Sequence, residues 1–482
     1  MLIELILFTT LGAPRDAVTA RAALAGRASA EPAGARATVQ PPAKPAKPAK
    51  AKKAKKKKVP KETDAAPDAP AAADPADTGK GVRFTWKQHP SFRVGSVFRL
   101  DFQAKLQEDG RWSYAVPPAL ETWELHRNRI GIQGHLFKRI EYEVEYELTE
   151  KELTEKDVEL GITPASQWKD VYVNLAYINN AQIQVGKFKI PFGLDQLTGV
   201  TQNDFIYRSL GANYLAPSRD VGGMVHGRVF KRGLNYWAGA FKHDGDNARS
   251  RKIQGGDRTF AGRVTATPFR KVASGLGAVE IGTAFTISDL KDDSFRPNGL
   301  RGRTFVTQHT FYEPVYVKGQ RRRWEADVDW TAGPVSARAE FTRVVDNRQH
   351  QSIANTDLTD ARARAWYVAG TWVLTGEDKV RPLKAAAPLF QGGIGAFEVA
   401  ARYERLWFDS VGGADPPFRN SRSETILRAG ERALTLGLNW TLNRFAKIQI
   451  NGIREHVEDP ERNPVPNGAA FWSRVLRLQF VL

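Results

Sequence analysis

The chain of 482 residues contains no cysteine. This absence excludes disulfide scaffolds, cysteine-ligated zinc, iron–sulfur clusters and thiol nucleophiles. The chain also lacks any apolar run of about 18 residues or more, which excludes a membrane protein built of helices. Its mean hydropathy of -0.43 is typical of a soluble protein. A barrel that crosses a membrane alternates polar and apolar residues, however, and averages to a similar value. Soluble folds and membrane-spanning β-barrels both remain open.

Aromatic residues are nearly absent from the first 80 positions, where Phe8 is the only one. Residues 31–80 consist mostly of Ala, Pro, Lys and Asp, a composition that cannot bury enough apolar surface to offset the entropy of ordering. We therefore predict a disordered linker over 31–80. Residues 1–30 contain a short apolar stretch but carry Glu4 and no preceding Lys or Arg, and we interpret them as a degraded or mis-started signal segment.

The net charge of +18 includes a lysine-rich run from Lys52 to Lys58. A block of like charge is most often a solvated linker, and that interpretation stays open here. The sharper hypothesis is electrostatic contact between this tail and an anionic surface such as the cell wall, lipid head groups or lipopolysaccharide. A nucleic-acid partner is a distant third, and we expect none.

From residue 81 onward the sequence alternates apolar and polar residues with a period of two. The clearest stretch, Ile140–Leu148, places a carboxylate at every second position and an apolar or aromatic residue between. In a strand, this pattern makes one face apolar and the other charged. A large β-sandwich would also alternate. Full charges on the polar face, with Trp and Tyr near the strand ends, favour a water-filled barrel in lipid.

Sixteen segments show this alternation, and short and long connections follow one another almost throughout. We predict strands at 91–105, 123–136, 139–149, 168–178, 181–189, 221–230, 233–242, 258–268, 276–288, 321–330, 335–345, 364–375, 394–407, 431–441, 443–455 and 470–482. Tight turns and long external loops that alternate in this way are typical of an antiparallel up-and-down barrel. The connections 269–275 and 376–393 depart from the rhythm, the second being long where a short turn is expected. The predicted fold is all-β: a 16-stranded antiparallel transmembrane barrel over 81–482, preceded by a disordered N-terminal extension.

Several short motifs, in order along roughly 90–482, carry a resemblance to a known family. They are Val185–Asp195 (VGKFKIPFGLD), Arg208-Ser209, Pro217–Gly222, Leu374–Glu377 and Gly437–Asn443. These residues resemble the phosphate-selective porin O and P family. The resemblance implies a sixteen-stranded, usually homotrimeric channel of the bacterial outer membrane, in contact with membrane lipids and lipopolysaccharide. It also implies that the third long loop, here 190–220, folds inward as the constriction.

The alternation itself turns basic residues toward the lumen, where a guanidinium group could bind two phosphate oxygens through two parallel hydrogen bonds. The first two are Arg127 and Arg129, if Ile130 and Ile132 face lipid. The same logic turns inward Arg99, Arg338, Arg402, Lys447 and Arg477, together with the carboxylates of Glu141, Glu143, Glu145, Glu147, Glu325, Asp327 and Asp329. These carboxylates can pair with the arginines across strands and simply hold the wall.

Near the predicted constriction, opposing charges are fewer. The anion-selecting candidates are therefore Lys187, Lys189, Arg208 and Arg219 in or beside the third loop, with Arg127 and Arg129 on the wall. Strict alternation with Ile183 and Val185 would turn Lys187 and Lys189 outward, unless it breaks near Pro191.

Enzymatic alternatives have little support in the sequence. The eight histidines show no metal-site spacing, and there is no phosphate-binding loop, nucleophile elbow or dinucleotide motif. We expect no catalytic residues, no metal and no cofactor. The predicted function is passive diffusion of small hydrophilic solutes through an outer-membrane channel that prefers anions, with phosphate or polyphosphate as candidates. The alternatives are an outer-membrane β-barrel hydrolase and a basic protein that binds cell wall or nucleic acid.

Overall fold

The computed structural model describes residues 81–86, 89–113, 115, 120–149, 166–178, 180–245, 258–270, 272, 275–291 and 297–482. The predicted signal segment 1–30 and the predicted linker 31–80 lie outside the described residues. Among the residues described, no helix combines the length and the apolar character needed to cross a membrane.

Antiparallel strands dominate this part of the chain. They are β1 (Val82–Trp86), β2 (Pro90–Val94), β3 (Phe98–Ser113), β4 (Leu120–Leu136), β5 (Ile140–Glu147), β6 (Trp168–Leu175), β7 (Gln182–Lys189), β8 (Arg219–Val229), β9 (Leu234–Phe241), β10 (Thr259–Ala266), β11 (Glu280–Leu290), β12 (Gly302–Arg303), β13 (Thr310–Tyr312), β14 (Gly319–Ala332), β15 (Val335–Arg348), β16 (Leu358–Val373), β17 (Ala396–Val411), β18 (Ala429–Thr441), β19 (Ala446–Val457) and β20 (Phe471–Val481). Two short helices, α1 (Leu194–Leu197) and α2 (Leu210–Tyr214), lie between β7 and β8.

Sixteen of these strands form a closed barrel. Each strand from β3 to β11 and from β14 to β20 pairs with its sequence neighbour, β11 pairs with β14, and β20 pairs back onto β3. Closure leaves every wall strand hydrogen-bonded on both sides, which removes the edges that an open sheet would expose. The predicted 16-stranded antiparallel barrel is confirmed. Strands β12 and β13 form a separate hairpin inside the long loop between β11 and β14.

The wall follows the alternation of the sequence. On β16, Val368 and Trp372 face outward and are each 55% exposed, whereas Tyr367 and Ala369 between them are buried inward. Charged residues on the inward faces are buried too, because they contact one another and the loops that enter the barrel.

The N-terminal end of the barrel differs from the prediction. The predicted strand 91–105 is two strands: β2 and β3 are separate, joined by a turn that begins at Gly95 with a φ of 50°. Strand β3 continues to Ser113, so the predicted long loop 106–122 is wrong and the connection spans only 114–119. The sequence does not predict the hairpin β1–β2. Strand β2 pairs with residues 98–101 at the start of β3, whereas β20 pairs with residues 105–113 of the same strand.

The lumen contains a hydrophobic core formed by two long loops. We call the connection 190–218 loop L3 and the connection 291–318 loop L5; both begin at the end of the barrel that carries long loops, the loop end. Leu210 and Leu215 of L3 and Phe305 of L5 are buried together against Leu406 of the wall. The loops therefore pack in the barrel as a protein interior rather than standing above it.

Candidate functional site

Loop L3 crosses the lumen to the opposite wall. It leaves β7, and its contacts reach β17, which lies eight strands away in the ring of sixteen. The backbone N–H of Leu210, at the start of α2, donates to Oε2 of Glu404 on β17 at 2.6 Å. The N–H of Asp195 donates to Oε2 of Glu340 on β15 at 3.0 Å. Wall carboxylates thus satisfy N–H groups at the starts of both short helices, which have no partner within the helix.

Inward basic residues of the wall bind the carbonyl groups of L3. Arg477 donates to the carbonyl of Ile206 at 2.9 Å, and Arg402 donates to that of Tyr207 at 3.1 Å. Three other contacts share this design, from Lys447 to the carbonyl of Asn203, from Arg323 to that of Leu215 and from Arg338 to Oγ1 of Thr198. The wall cations therefore hold the loop in place as well as carrying positive charge.

The same wall arginines pair with carboxylates. Arg129 donates to Glu147 at 2.7 Å and to Glu145 at 2.8 Å. Arg477 makes a two-point contact with Asp109 at 2.7 and 2.6 Å. Cross-strand pairing of this kind is the alternative that the sequence left open for these residues. Both charges of each pair are buried, so removing one partner would leave the other uncompensated.

Two of the predicted selecting residues of L3 meet at one carbonyl group. Arg208 donates to the carbonyl of Thr198 at 2.6 Å, and Lys189 donates to those of Leu197 and Thr198 at 2.9 and 3.4 Å. These carbonyls end α1, where cations are favoured by the helix dipole. Lys189 therefore reaches L3 inside the barrel, and its first role is to hold the end of α1.

The other two predicted loop residues lie elsewhere. Arg219 makes a two-point contact with Asp170 on β6, with Nε at 3.1 and 3.0 Å from the two carboxylate oxygens. Lys187 shares the outward face of β7 with Ile183 and Val185, which are 46% and 56% exposed. Arg219 is therefore occupied by a carboxylate of the wall, and Lys187 faces away from the lumen.

A cluster of four arginines gathers where L3 meets the first strands. The guanidinium of Arg127 lies in the field of three others, Arg129, Arg208 and Arg477. Arg127 donates to Oε1 of Gln107 and lies 3.9 Å from Oε2 of Glu147. The side chain of Arg127 is 14% exposed, more than the 7% of Arg129, and it offers the lumen more of its surface. The structure thus brings together three of the predicted residues, Arg127, Arg129 and Arg208, as one positively charged region.

The long connection 374–395, which we call turn T6, enters the lumen from the opposite end, the turn end. Nζ of Lys379 lies 2.5 Å from Oδ1 of Asp204 in L3 and also contacts Glu398 of the wall. Arg381 bridges Asp204 at 3.3 Å and Asp329 of the wall at 3.4 Å. Burial would raise the pKa of Asp204, but the charges of Lys379, Arg381 and Arg338 outweigh it and hold that pKa well below its ordinary value.

The meeting of T6 and L3 explains why this connection is long, as the sequence predicts, although the rhythm of the other connections would place a short turn there. The space beside the two segments is lined by both, together with Lys447 and Gln479 of the wall. Lys379 and Arg381 were not among the predicted site residues. The only sequence signal that could have found them was the break in the rhythm of connections. The described residues contain no group of His, Asp and Glu arranged to hold a metal ion.

The sequence model of one family, phosphate-selective porin O and P, matches residues 116–482. The match covers most of the chain and the barrel from L1, the connection 114–119, to the last strand. The chain belongs to the phosphate-selective porin O and P family. It is therefore a channel of the bacterial outer membrane, as the motifs predicted, with its long loops on the outside and its tight turns in the periplasm.

Solved porin-like structures resemble this porin at low identity. The trimer form of OmpT, an outer membrane protein of Vibrio cholerae, is 12% identical, with 80% of this chain and 100% of that chain covered and a TM-score of 0.49. An anion-selective porin from Comamonas acidovorans is 12% identical, with 80% and 99% covered and a TM-score of 0.47. The outer membrane channel DcaP of Acinetobacter baumannii is 9% identical, with 80% and 98% covered and a TM-score of 0.48. No curated protein matches the chain.

Proposed function

We propose that this porin passes small hydrophilic solutes by diffusion and prefers anions, with phosphate or polyphosphate as candidate solutes. The observation that carries the proposal is the position of Arg127 at the foot of L3, where it donates to Gln107, whose Nε2 donates to the carbonyl of Val200 in L3 at 3.3 Å. Among the residues that the structure describes, the carboxylates in contact with the cluster of four arginines include Asp109, Glu145 and Glu147. The Nζ of Lys105 also contacts Glu145.

The positive charges of these arginines act at short range in a narrow passage. There the effective dielectric is lower than in water, so one charge several ångströms from a passing ion contributes about 1 kcal/mol or more. A difference of about 1.4 kcal/mol changes an equilibrium ratio tenfold, which is enough to set selectivity. Guanidinium groups also match the geometry of phosphate oxygens, which favours phosphate-like anions among small solutes.

Reversal potentials in asymmetric potassium chloride test the proposal. The double variant Arg127→Gln and Arg208→Gln should lower the anion-over-cation permeability ratio several-fold, and inorganic phosphate should block its chloride current less than that of wild type. Lys138→Gln combined with Lys231→Gln is the matched control, since it removes the same two charges from exposed positions of tight turns and should leave both values unchanged. Wild-type reversal potentials in the double variant would refute a selecting role for this cluster.

The remaining features of the proposal follow from the family and the tail. Homotrimeric assembly is typical of the family, and an unheated gel or native mass measurement of the purified protein tests it. We propose permeation, without catalysis, as the activity of the barrel. The lysine-rich run 52–58 would contact the anionic cell wall, and a pull-down with purified peptidoglycan tests that contact against a chain that lacks residues 31–80.

A further inference from the structure

The outward face of the barrel carries a row of arginines. On β14, the inward residues Arg321 and Arg323 are buried, whereas Trp324 and Val328 on the other face are exposed. Arg322 belongs to this second face and is exposed outward. The same alternation applies along the next six strands. The outward arginines near the loop ends of β14 to β20, which we call the arginine belt, are Arg322, Arg343, Arg362, Arg364, Arg405, Arg432, Arg454 and Arg474.

Members of the belt lie directly opposite one another. Arg343 on β15 is the register partner of Arg364 on β16, and Arg405 on β17 is the partner of Arg432 on β18. Like charges at directly opposite positions destabilise a sheet. The belt therefore opposes the stability of the bare barrel, and an anionic partner that neutralises it would remove this cost.

Carboxylates contact only half of the arginines in the belt. Asp409 is shared by Arg362 and Arg364, each at 2.6 Å. Glu458 is shared by Arg405 and Arg432, at 2.6 and 2.9 Å. Among the residues that the structure describes, no ion pair involves the other four arginines. These four are Arg322, Arg343, Arg454 and Arg474, and all of them are exposed.

The belt lies at a defined depth in the membrane. On β16 the outward face runs from Arg362 and Arg364 through Trp366 and Val368 to Trp372. Trp366 and Trp372 are six residues apart, about 20 Å along a strand, which matches an apolar band with an aromatic girdle at each border. The arginines stand on the loop side of that band, at the level of the outer head groups.

Within the described residues, outward arginines are concentrated along β14–β20. At the loop ends of β3, β4 and β11, the outward faces carry the carboxylates of Glu108, Glu121 and Asp289. Outward basic residues also occur outside the belt, among them Lys187 on β7 and Arg258 just before β10. The concentration of eight arginines on seven consecutive strands indicates one binding surface.

We propose that the arginine belt binds the phosphate groups of lipopolysaccharide, the glycolipid of the outer leaflet. The guanidinium fork forms two-point, charge-assisted hydrogen bonds with phosphate oxygens, and the neighbouring Trp side chains lie at the border between acyl chains and head groups. The four arginines without carboxylate partners supply the main contacts. The proposal uses the outer-membrane location of the porin and is independent of what passes through its lumen.

Binding of purified lipid A by the full-length porin in detergent tests this surface, with a chelator present so that divalent cations do not bridge phosphates. Wild type should bind bis-phosphorylated lipid A about tenfold more tightly than dephosphorylated lipid A, or more. The fourfold variant Arg322→Gln, Arg343→Gln, Arg454→Gln and Arg474→Gln should lose this preference. The lumen variant Arg127→Gln should keep it.

Three results would overturn the proposal. The first is equal binding of the two lipid A forms by wild type, and the second is an unchanged preference in the fourfold variant. The third is loss of the oligomer in the fourfold variant with lipid A binding intact, which would assign the belt to a contact between protomers. The unheated gel mobility of each variant shows whether it is folded. If the fourfold variant does not fold, Arg343→Gln and Arg454→Gln singly should each weaken the preference several-fold, and an unchanged preference in both would refute the role.

Discussion

Lys379 of turn T6 forms a buried ion pair with Asp204 of loop L3, with Nζ 2.5 Å from Oδ1. The two residues belong to segments that enter the barrel from opposite ends, so this one contact joins the external loop to a periplasmic turn. Its side chains are 2% and 9% exposed. The passage is therefore narrowed by two segments, each of which holds the other in place.

Lys379→Ala should loosen both segments. The substitution leaves Asp204 and Glu398 buried without the cation that they share. Removing one partner of a buried ion pair lowers the free energy of unfolding by about 3–5 kcal/mol. We expect a lower unfolding temperature in detergent, together with a larger and noisier single-channel current. Lys231→Ala removes the same charge from an exposed position of the turn between β8 and β9 and should change neither value. Identical current noise in the two variants would contradict the coupling of T6 to L3.

The contribution of Asp204 to stability should depend on pH in one direction. Since the pKa of Asp204 is held well below its ordinary value, its stabilisation is fully present above the unfolded pKa of about 4 and is lost as pH falls through the folded value. The difference in unfolding free energy between wild type and Asp204→Asn should be constant from about pH 7 to pH 5 and should shrink below about pH 4. Denaturant titrations in detergent at each pH measure it. A difference that grew on acidification would contradict the sign.

Glu147→Gln should strengthen the preference for anions. The carboxylate binds Arg129 at 2.7 Å and lies 3.9 Å from Arg127. Glutamine can still accept the hydrogen bond that the N–H of Asn128 donates at 2.8 Å, so the strand should fold. Removing one negative charge at this distance is worth about 1 kcal/mol, or about fivefold in the permeability ratio of anions to cations. Reversal potentials measure it, with Glu121→Gln on the outward face as the control. A decrease in that ratio would place the pathway for ions away from Arg127.

Asp409→Asn should increase the affinity for phosphorylated lipid A. The carboxylate of Asp409 forms ion pairs with Arg362 and Arg364. Once residue 409 is a neutral asparagine, both guanidinium groups become available to phosphate oxygens. The effect should be several-fold, as expected for one additional charge-assisted contact. Binding of bis-phosphorylated lipid A measures it, and dephosphorylated lipid A serves as the control ligand. Weaker binding in this variant would show that Asp409 orients the arginines for their partner.

The wall of the barrel was predictable because lipid imposes the alternation on every strand. The prediction failed for β3 between Gln107 and Arg111, where the outward residues are Glu108 and Gly110. This part of the strand continues beyond the apolar band, so its outward face needs no apolar residues and the period of two disappears. The hairpin β1–β2 is short and pairs only with the start of β3, which gives too few residues for a pattern.

The site was predictable only in part. Alternation gave the inward direction of Arg127 and Arg129, and it also turned Lys187 outward. It could not show that Arg208 returns to the same region, because that meeting depends on the path of L3 across the lumen. The arginine belt follows from the same alternation applied to the outward residues near the loop ends.

The core that fills the barrel has a consequence for the order of folding. Arg477 of the last strand binds both Asp109 and the carbonyl of Ile206, contacts that span 368 and 271 positions of the chain. Contacts between such distant positions require the closure of large chain loops and form slowly. The anchor that Arg477 gives to loop L3 therefore requires β20 to be in place. A chain that stops before β20 would lack both the pairing that closes the barrel and this anchor of its constriction.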